Sequence, residues 1–173
     1  RVTWRRRDQY VATVSFAPDG RTFAAGGPVL RAFDGSVRLW DVATRRERVV
    51  VRGHDETVWT VAFSPDGKTL ASGGEDRLVK LWDVASGEER AVLKGHTEPV
   101  TSLAYSPDGT KLATACVDKT VRIWDTMTLE QTAVLLRHKH PVRMVSFSPD
   151  GKRLATVAST VTLWDVATGR GQL

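Results

Sequence analysis

Trp-Asp pairs recur at Trp40-Asp41, Trp82-Asp83, Trp124-Asp125 and Trp164-Asp165, with successive tryptophans 42, 42 and 40 residues apart. A period of that length means one supersecondary unit used repeatedly, each unable to bury its apolar face without its neighbours. A second motif keeps step with the first: Ala17-Pro18-Asp19-Gly20, Ser64-Pro65-Asp66-Gly67, Ser106-Pro107-Asp108-Gly109 and Ser148-Pro149-Asp150-Gly151. Each reads as a tight turn. Proline presets φ at the second position, aspartate suits the third, and glycine accepts the left-handed backbone that lets two strands reverse.

Short apolar strands flank these turns. Before one stands Val58-Trp59-Thr60-Val61-Ala62-Phe63, and after it Thr69-Leu70-Ala71-Ser72-Gly73. A third strand carries the tryptophan, as in Val79-Lys80-Leu81-Trp82, with period-two alternation and β-branched residues. A turn at Asp83-Val84-Ala85-Ser86-Gly87 then leads into a fourth, Glu89-Arg90-Ala91-Val92-Leu93. Proline and glycine interrupt every potential helix within about a dozen residues.

Gly53-His54 and Gly95-His96 precede the first strand of their units, and Trp-Asp closes the third. On these residues the chain resembles the WD-repeat β-propellers along essentially its whole length. The resemblance implies an all-β fold, a β-propeller of four-stranded antiparallel blades. The blades fall near residues 8–52, 55–94, 97–136 and 139–173, with residues 1–7 a fourth strand leading into the first repeat. Propellers close with roughly 4–8 blades. Four units therefore leave a partial propeller continued by further chain, a half-propeller completed by a second copy, or a steep four-blade ring; the first is the expectation. The chain opens within a fourth strand, Val2-Thr3-Trp4, and ends just past the last third strand, so that the opening strand can complete the last blade in trans or on closure.

His54, Ser72, Asp76 and Trp82 resemble a hydrolase triad with an aromatic neighbour, but His96, Thr114, Asp118 and Trp124 repeat the same offsets one unit later. A nucleophilic site has no reason to recur in every unit. A buried indole N–H needs an acceptor, a hydroxyl both accepts and donates, and an imidazole passes the connection to a carboxylate. The two sets match the structural tetrad of the WD family, and no catalytic residue is expected. The outer units are incomplete. The first keeps Asp34 and Trp40 but has Arg7 for histidine and Ala25 for the hydroxyl. The last keeps His138, Thr156 and Trp164, has Arg137 before the histidine, and loses the aspartate to a two-residue deletion. Blades one and four are thus expected to be less well stapled.

Composition narrows the function classes. The net charge of +5 comes from 25 basic residues countered by 20 acidic ones, which reads as a mixed solvated surface. Arg5-Arg6-Arg7 and Arg45-Arg46-Glu47-Arg48 lack a stacking platform, so nucleic acid is not the expected partner. The single cysteine, Cys116, excludes an internal disulfide, reads as a buried inert thiol and fits a reducing, cytoplasmic location. No run of 18 apolar residues marks a membrane span. His138-Lys139-His140 pairs two imidazoles with no cluster to complete a ligand set, and neither metal nor cofactor is expected.

Function then moves to the rim, where loops present variable side chains on a rigid frame. The resemblance points to three positions per blade: Tyr10, Ala12 and Phe33; Thr57, Trp59 and Glu75; Pro99, Thr101 and Val117; and Pro141 with Arg143. Among these, Tyr10, Phe33, Trp59, Glu75, Thr101 and Arg143 are the expected partner-binding residues. Aromatic and arginine side chains there are of the types that dominate interface energetics. The expected function is a non-enzymatic protein-interaction scaffold, one module of a larger regulatory or signalling protein that binds a protein or peptide partner. The alternative is a frame domain of an enzyme or nucleic-acid-binding protein.

Overall fold

The computed structural model describes residues 11–27, 35–136 and 138–172. Arg7, Tyr10, Phe33, Asp34, Arg137 and the Val2-Thr3-Trp4 strand lie outside the described residues.

Four antiparallel sheets of four strands each follow in chain order. The first holds β1 (Thr13–Phe16), β2 (Thr22–Gly26), β3 (Val37–Asp41) and β4 (Glu47–Val51). The second holds β5 (Val58–Phe63), β6 (Thr69–Gly74), β7 (Val79–Asp83) and β8 (Glu89–Leu93). The third holds β9 (Val100–Tyr105), β10 (Lys111–Cys116), β11 (Val121–Asp125) and β12 (Gln131–Leu135). The fourth holds β13 (Met144–Phe147), β14 (Arg153–Val157), β15 (Val161–Asp165) and β16 (Gly171–Gln172). Each sheet is one blade, its strands in sequence order. Blade four departs from expectation here: Gly171 pairs with Trp164 and Gln172 with Leu163, so the chain itself begins that blade's fourth strand. Among the described residues no helix is long and apolar enough to cross a membrane.

The Pro-Asp-Gly turns reverse each blade because their glycines take a left-handed backbone, φ 70° at Gly67 and 73° at Gly109. These turns and the Trp-Asp turns share one edge of the blades, here the turn edge. The connections carrying His54, Asp76, His96 and Asp118 share the opposite edge, here the tetrad edge.

Blades stack face to face through apolar side chains. Ala24, Val37, Leu39 and Val51 of blade one meet Val61, Phe63, Leu70 and Trp82 of blade two in one cluster. The next joint packs Ala71, Val79, Leu81 and Leu93 against Leu103, Leu112 and Trp124. The third packs Val121, Ile123 and Leu135 against Val145, Leu154 and Trp164. A polar latch accompanies each joint on the innermost strands: Thr13 Oγ1 accepts from Val61 N at 3.3 Å, Thr60 Oγ1 from Leu103 N at 3.2 Å and Ser102 Oγ from Val145 N at 3.3 Å. The equivalent position in blade four is Met144.

The arrangement is an open fan. Its two end faces bear the same residue classes as the joints but stay uncovered. Phe16 is 61% exposed where its counterpart Phe63 is 8%, and Val161 is 59% exposed where Val79 is 0%.

Candidate functional site

Blade two builds its tetrad from two strands, β6 and β7, the connection between them and the loop leading into the blade. Trp82 Nε1 donates to Ser72 Oγ at 2.7 Å, Ser72 Oγ lies 2.7 Å from His54 Nε2, and His54 Nδ1 lies 2.8 Å from Asp76 Oδ2. Blade three repeats it, with Trp124 to Thr114 at 3.1 Å, Thr114 to His96 at 2.7 Å and His96 to Asp118 at 2.9 Å. The hydroxyls of Ser72 and Thr114 are wholly buried. Antiparallel register places them: Ser72 sits two residues from Leu70, which pairs with Trp82, so hydroxyl and indole share one face.

Electrostatics fix the direction of these chains. Desolvation pushes the Asp118 carboxyl up, but donation from the Thr120 hydroxyl, the His96 ring and the Thr120 amide outweighs it and holds the group down at about 2. Burial drives the His96 imidazole below its ordinary value against the pull of Asp118, so the ring is neutral at pH 7. An ionised Asp118 accepts a hydrogen bond from His96 Nδ1–H, which leaves Nε2 to accept from the Thr114 hydroxyl, itself accepting from Trp124. Every proton runs from indole to carboxylate. A hydrolytic triad runs its protons the same way; what differs here is that both hydroxyls are wholly buried and each oxygen already accepts an indole N–H.

The outer blades carry less. In blade four Trp164 Nε1 donates to Thr156 Oγ1 at 2.9 Å and His138 Nε2 lies 3.2 Å from that oxygen, while burial alone lowers the His138 imidazole. No carboxylate bonds that ring among the described residues. In blade one the Trp40 indole stacks on Phe23, centroids 6.4 Å apart, and Ala25 offers no hydroxyl.

The structure also brings together three groups that sequence reading kept apart. Ligand atoms of His96, Cys116 and Asp118 lie within 4.8 Å of one another. Spacing alone hid this, because the sister blade has Gly74 where Cys116 stands. The groups are already engaged: Cys116 Sγ donates to Glu98 O at 3.0 Å and accepts from Asp118 N at 3.3 Å, and burial pushes its thiol up to about 12. A metal ion here would have to displace a thiol proton and break the His96–Asp118 bond.

Repeated blades stapled by these chains agree with comparison to known families, where the chain matches the WD domain, G-beta repeat family over residues 3–41, 45–83, 87–125 and 129–165. The chain belongs to the WD-repeat family. No curated protein matches it. WD repeats generally serve as protein-interaction scaffolds. Each matched repeat ends on a Trp-Asp pair, so the match over residues 45–83 contains the outer strand of one blade and the three inner strands of the next. Sequence repeat and structural blade are out of phase by one strand, which ties every blade covalently into its neighbour's repeat.

The WD frame presents its rim residues unequally. In β5 the register jumps between Val58, opposite Gly74, and Thr60, opposite Gly73. Trp59 is the extra residue of this bulge and is turned outward, 42% exposed. Beside it Glu75 is exposed, its amide bonded to Thr57 O at 2.9 Å, and Thr57 itself is buried. Thr101 occupies the matching bulge of blade three, but its hydroxyl reaches Ala115 O at 3.1 Å and Val142 O at 2.6 Å. Its polar group is committed to joining blades three and four, leaving its methyl for any partner. Pro99 and Val117 are half-buried, whereas Ala12, Pro141 and Arg143 are exposed. The Arg45-Arg46-Glu47-Arg48 cluster lies on the opposite, turn edge, where Glu47 accepts from Arg38 at 2.9 Å and Arg48 donates to Thr22 Oγ1 at 3.2 Å.

Proposed function

We propose that this WD-repeat chain is a non-enzymatic interaction module that grips a protein or peptide partner on its tetrad edge, with Trp59 as the anchor and Glu75 and Arg143 beside it. Tyr10 and Phe33 extend the same set. One observation carries the reading: a bulge turns a large aromatic side chain out of an otherwise buried strand at no benefit to the core. Aromatic anchors of this kind supply most of the binding energy of small interfaces. The polar chains that resemble catalytic triads are occupied in holding the blades, which supports the non-enzymatic reading. A cytoplasmic setting suits the single buried thiol. We also propose that further blades of this kind, from more chain or from a second copy, cover the end faces of the fan. Sedimentation velocity separates the two sources, since a stable monomer sinks the paired form.

Trp59→Ala tests the anchor. Affinity purification from cell extract with the wild type and the variant, read by quantitative mass spectrometry, should show partners lost by the variant while its melting temperature stays within about 2 °C. Unchanged recovery, or a large drop in melting temperature, removes Trp59 from this role.

A further inference from the structure

On the turn edge, away from Trp59, a cleft of about 450 Å³ opens between blades two and three, with Pro65, Asp66, Leu81, Arg90, Tyr105 and Leu129 among its walls. Departures from the repeat converge on it. Tyr105 stands where the other blades carry Phe16, Phe63 and Phe147, and its Oη is buried with no hydrogen-bond partner among the described residues. Met127 stands where the others carry Ala43, Ala85 and Ala167, and is 91% exposed. Leu129 holds a left-handed backbone, φ 63°, at the place of Gly87 and Gly169, as Arg45 does in blade one at φ 60°, but with an apolar side chain. Ala91, like Ala133 in blade three, stands where blade one has Val49, and the smaller side chain leaves room: at the preceding joint a Cβ on residue 87 would lie 2.4 Å from a methyl of Val49.

A buried hydroxyl without a partner is costly, and its appearance in one blade of four calls for an occupant. Burial and the Asp66 charge both raise the Tyr105 hydroxyl above its ordinary value, so it keeps its proton and its oxygen is free to accept. The charges around the cleft select the sign of that occupant. Asp66 and Asp108 stand exposed at the mouth, and each serves its own turn through Oδ1, which binds Ser64 Oγ and Lys68 N in one case and Ser106 Oγ and Thr110 in the other. Arg90, the cation of the lining, is held by Thr69 Oγ1 at 2.8 Å and by Asp83.

We propose that this cleft is a second partner-binding site and that it takes a lysine or arginine side chain from an extended protein segment. The methylene stem lies on Leu81, Ala91 and Met127, as long cationic side chains lie on apolar surface. The head group meets the free oxygens of Asp66 and Asp108, and after side-chain rotation at the wall donates an N–H to Tyr105 Oη. This site does not depend on the rim anchor, because it lies on the other edge.

Two-dimensional amide NMR of the 173-residue chain tests it with three capped pentapeptides, Ala-Ala-X-Ala-Ala, in which X is arginine, norleucine or glutamate. The arginine peptide at millimolar concentration should give saturable shifts at Arg90, Tyr105, Gly109 and Leu129. Tyr105→Phe, which restores the residue of the sister blades and so preserves the fold, should weaken it about threefold or more. Met127→Ala should weaken it as well, and Trp59→Ala should leave it unchanged. The proposal is overturned by absence of shifts, by equal shifts at the four Pro-Asp-Gly turns, by equal binding of the norleucine or glutamate peptide, or by unaltered affinity in Tyr105→Phe.

Discussion

Ser72 answers two demands at once, accepting the Trp82 indole proton and giving its own to His54. Ser72→Ala leaves a buried donor and a buried acceptor unpaired, and should lower unfolding free energy by about 1–3 kcal/mol in urea titrations. Ser72→Thr should recover most of that, since Thr114 and Thr156 do the same work in their blades. Acid titration probes the other end of the chain. The folded values of His96 and Asp118 both lie below their ordinary ones, so their contributions are complete above the unfolded values, 6.5 and 3.8, and are lost on acidification. Stability should fall first below pH 6.5, as the unfolded state takes protons that buried His96 refuses. It should fall again from 3.8 toward about 2, where Asp118 itself protonates. Asp118→Asn should flatten the second decline when urea midpoints are compared between pH 5 and pH 3. These chains were legible in sequence because their offsets repeat. The approach of Cys116 to His96 was not, because it occurs in one blade only.

Strand is joined to strand within a blade by the backbone ladder, whereas each joint between blades carries a side-chain latch, to which the third joint adds a backbone bond from Val142 N to Cys116 O at 3.1 Å. Thr60 Oγ1 receives the Leu103 amide at 3.2 Å across the joint. Thr60→Val keeps the volume and removes the acceptor, so a cost of about 1–2 kcal/mol is expected by urea titration, with Thr60→Ser close to wild type because Ser102 performs the same task. Strand positions followed from turns and alternation, since Pro-Asp-Gly and Trp-Asp fix both ends of each hairpin. Bulges did not follow. The alternation of Val58-Trp59-Thr60 continues smoothly in sequence, and only the pairing of Val58 with Gly74 and Thr60 with Gly73 shows that Trp59 is left over. The same limit applied to Thr101, whose bulge turns its hydroxyl toward blade four.

Across the whole fan, identical repeat positions experience different surroundings, which gives an internal control. Leu81 is buried at a joint, while Leu163, its counterpart, lies on an end face. Leu81→Ala should cost about 2–4 kcal/mol and Leu163→Ala less than about 1 kcal/mol in dilute solution. A cost at Leu163 that grows with protein concentration would mean that a second copy covers that face. The period counted the blades from sequence, but the number needed to close a ring depends on angles between blades, which side-chain volumes at the joints set and no motif encodes. Met144 adds a last consequence. Any ring that includes this blade gains van der Waals contact at its next joint and forgoes the hydroxyl that fastens the three before it. Under heat, denaturant or pulling force, such a ring has a built-in seam there, and would part at that seam before the stapled blades on its inner side come apart.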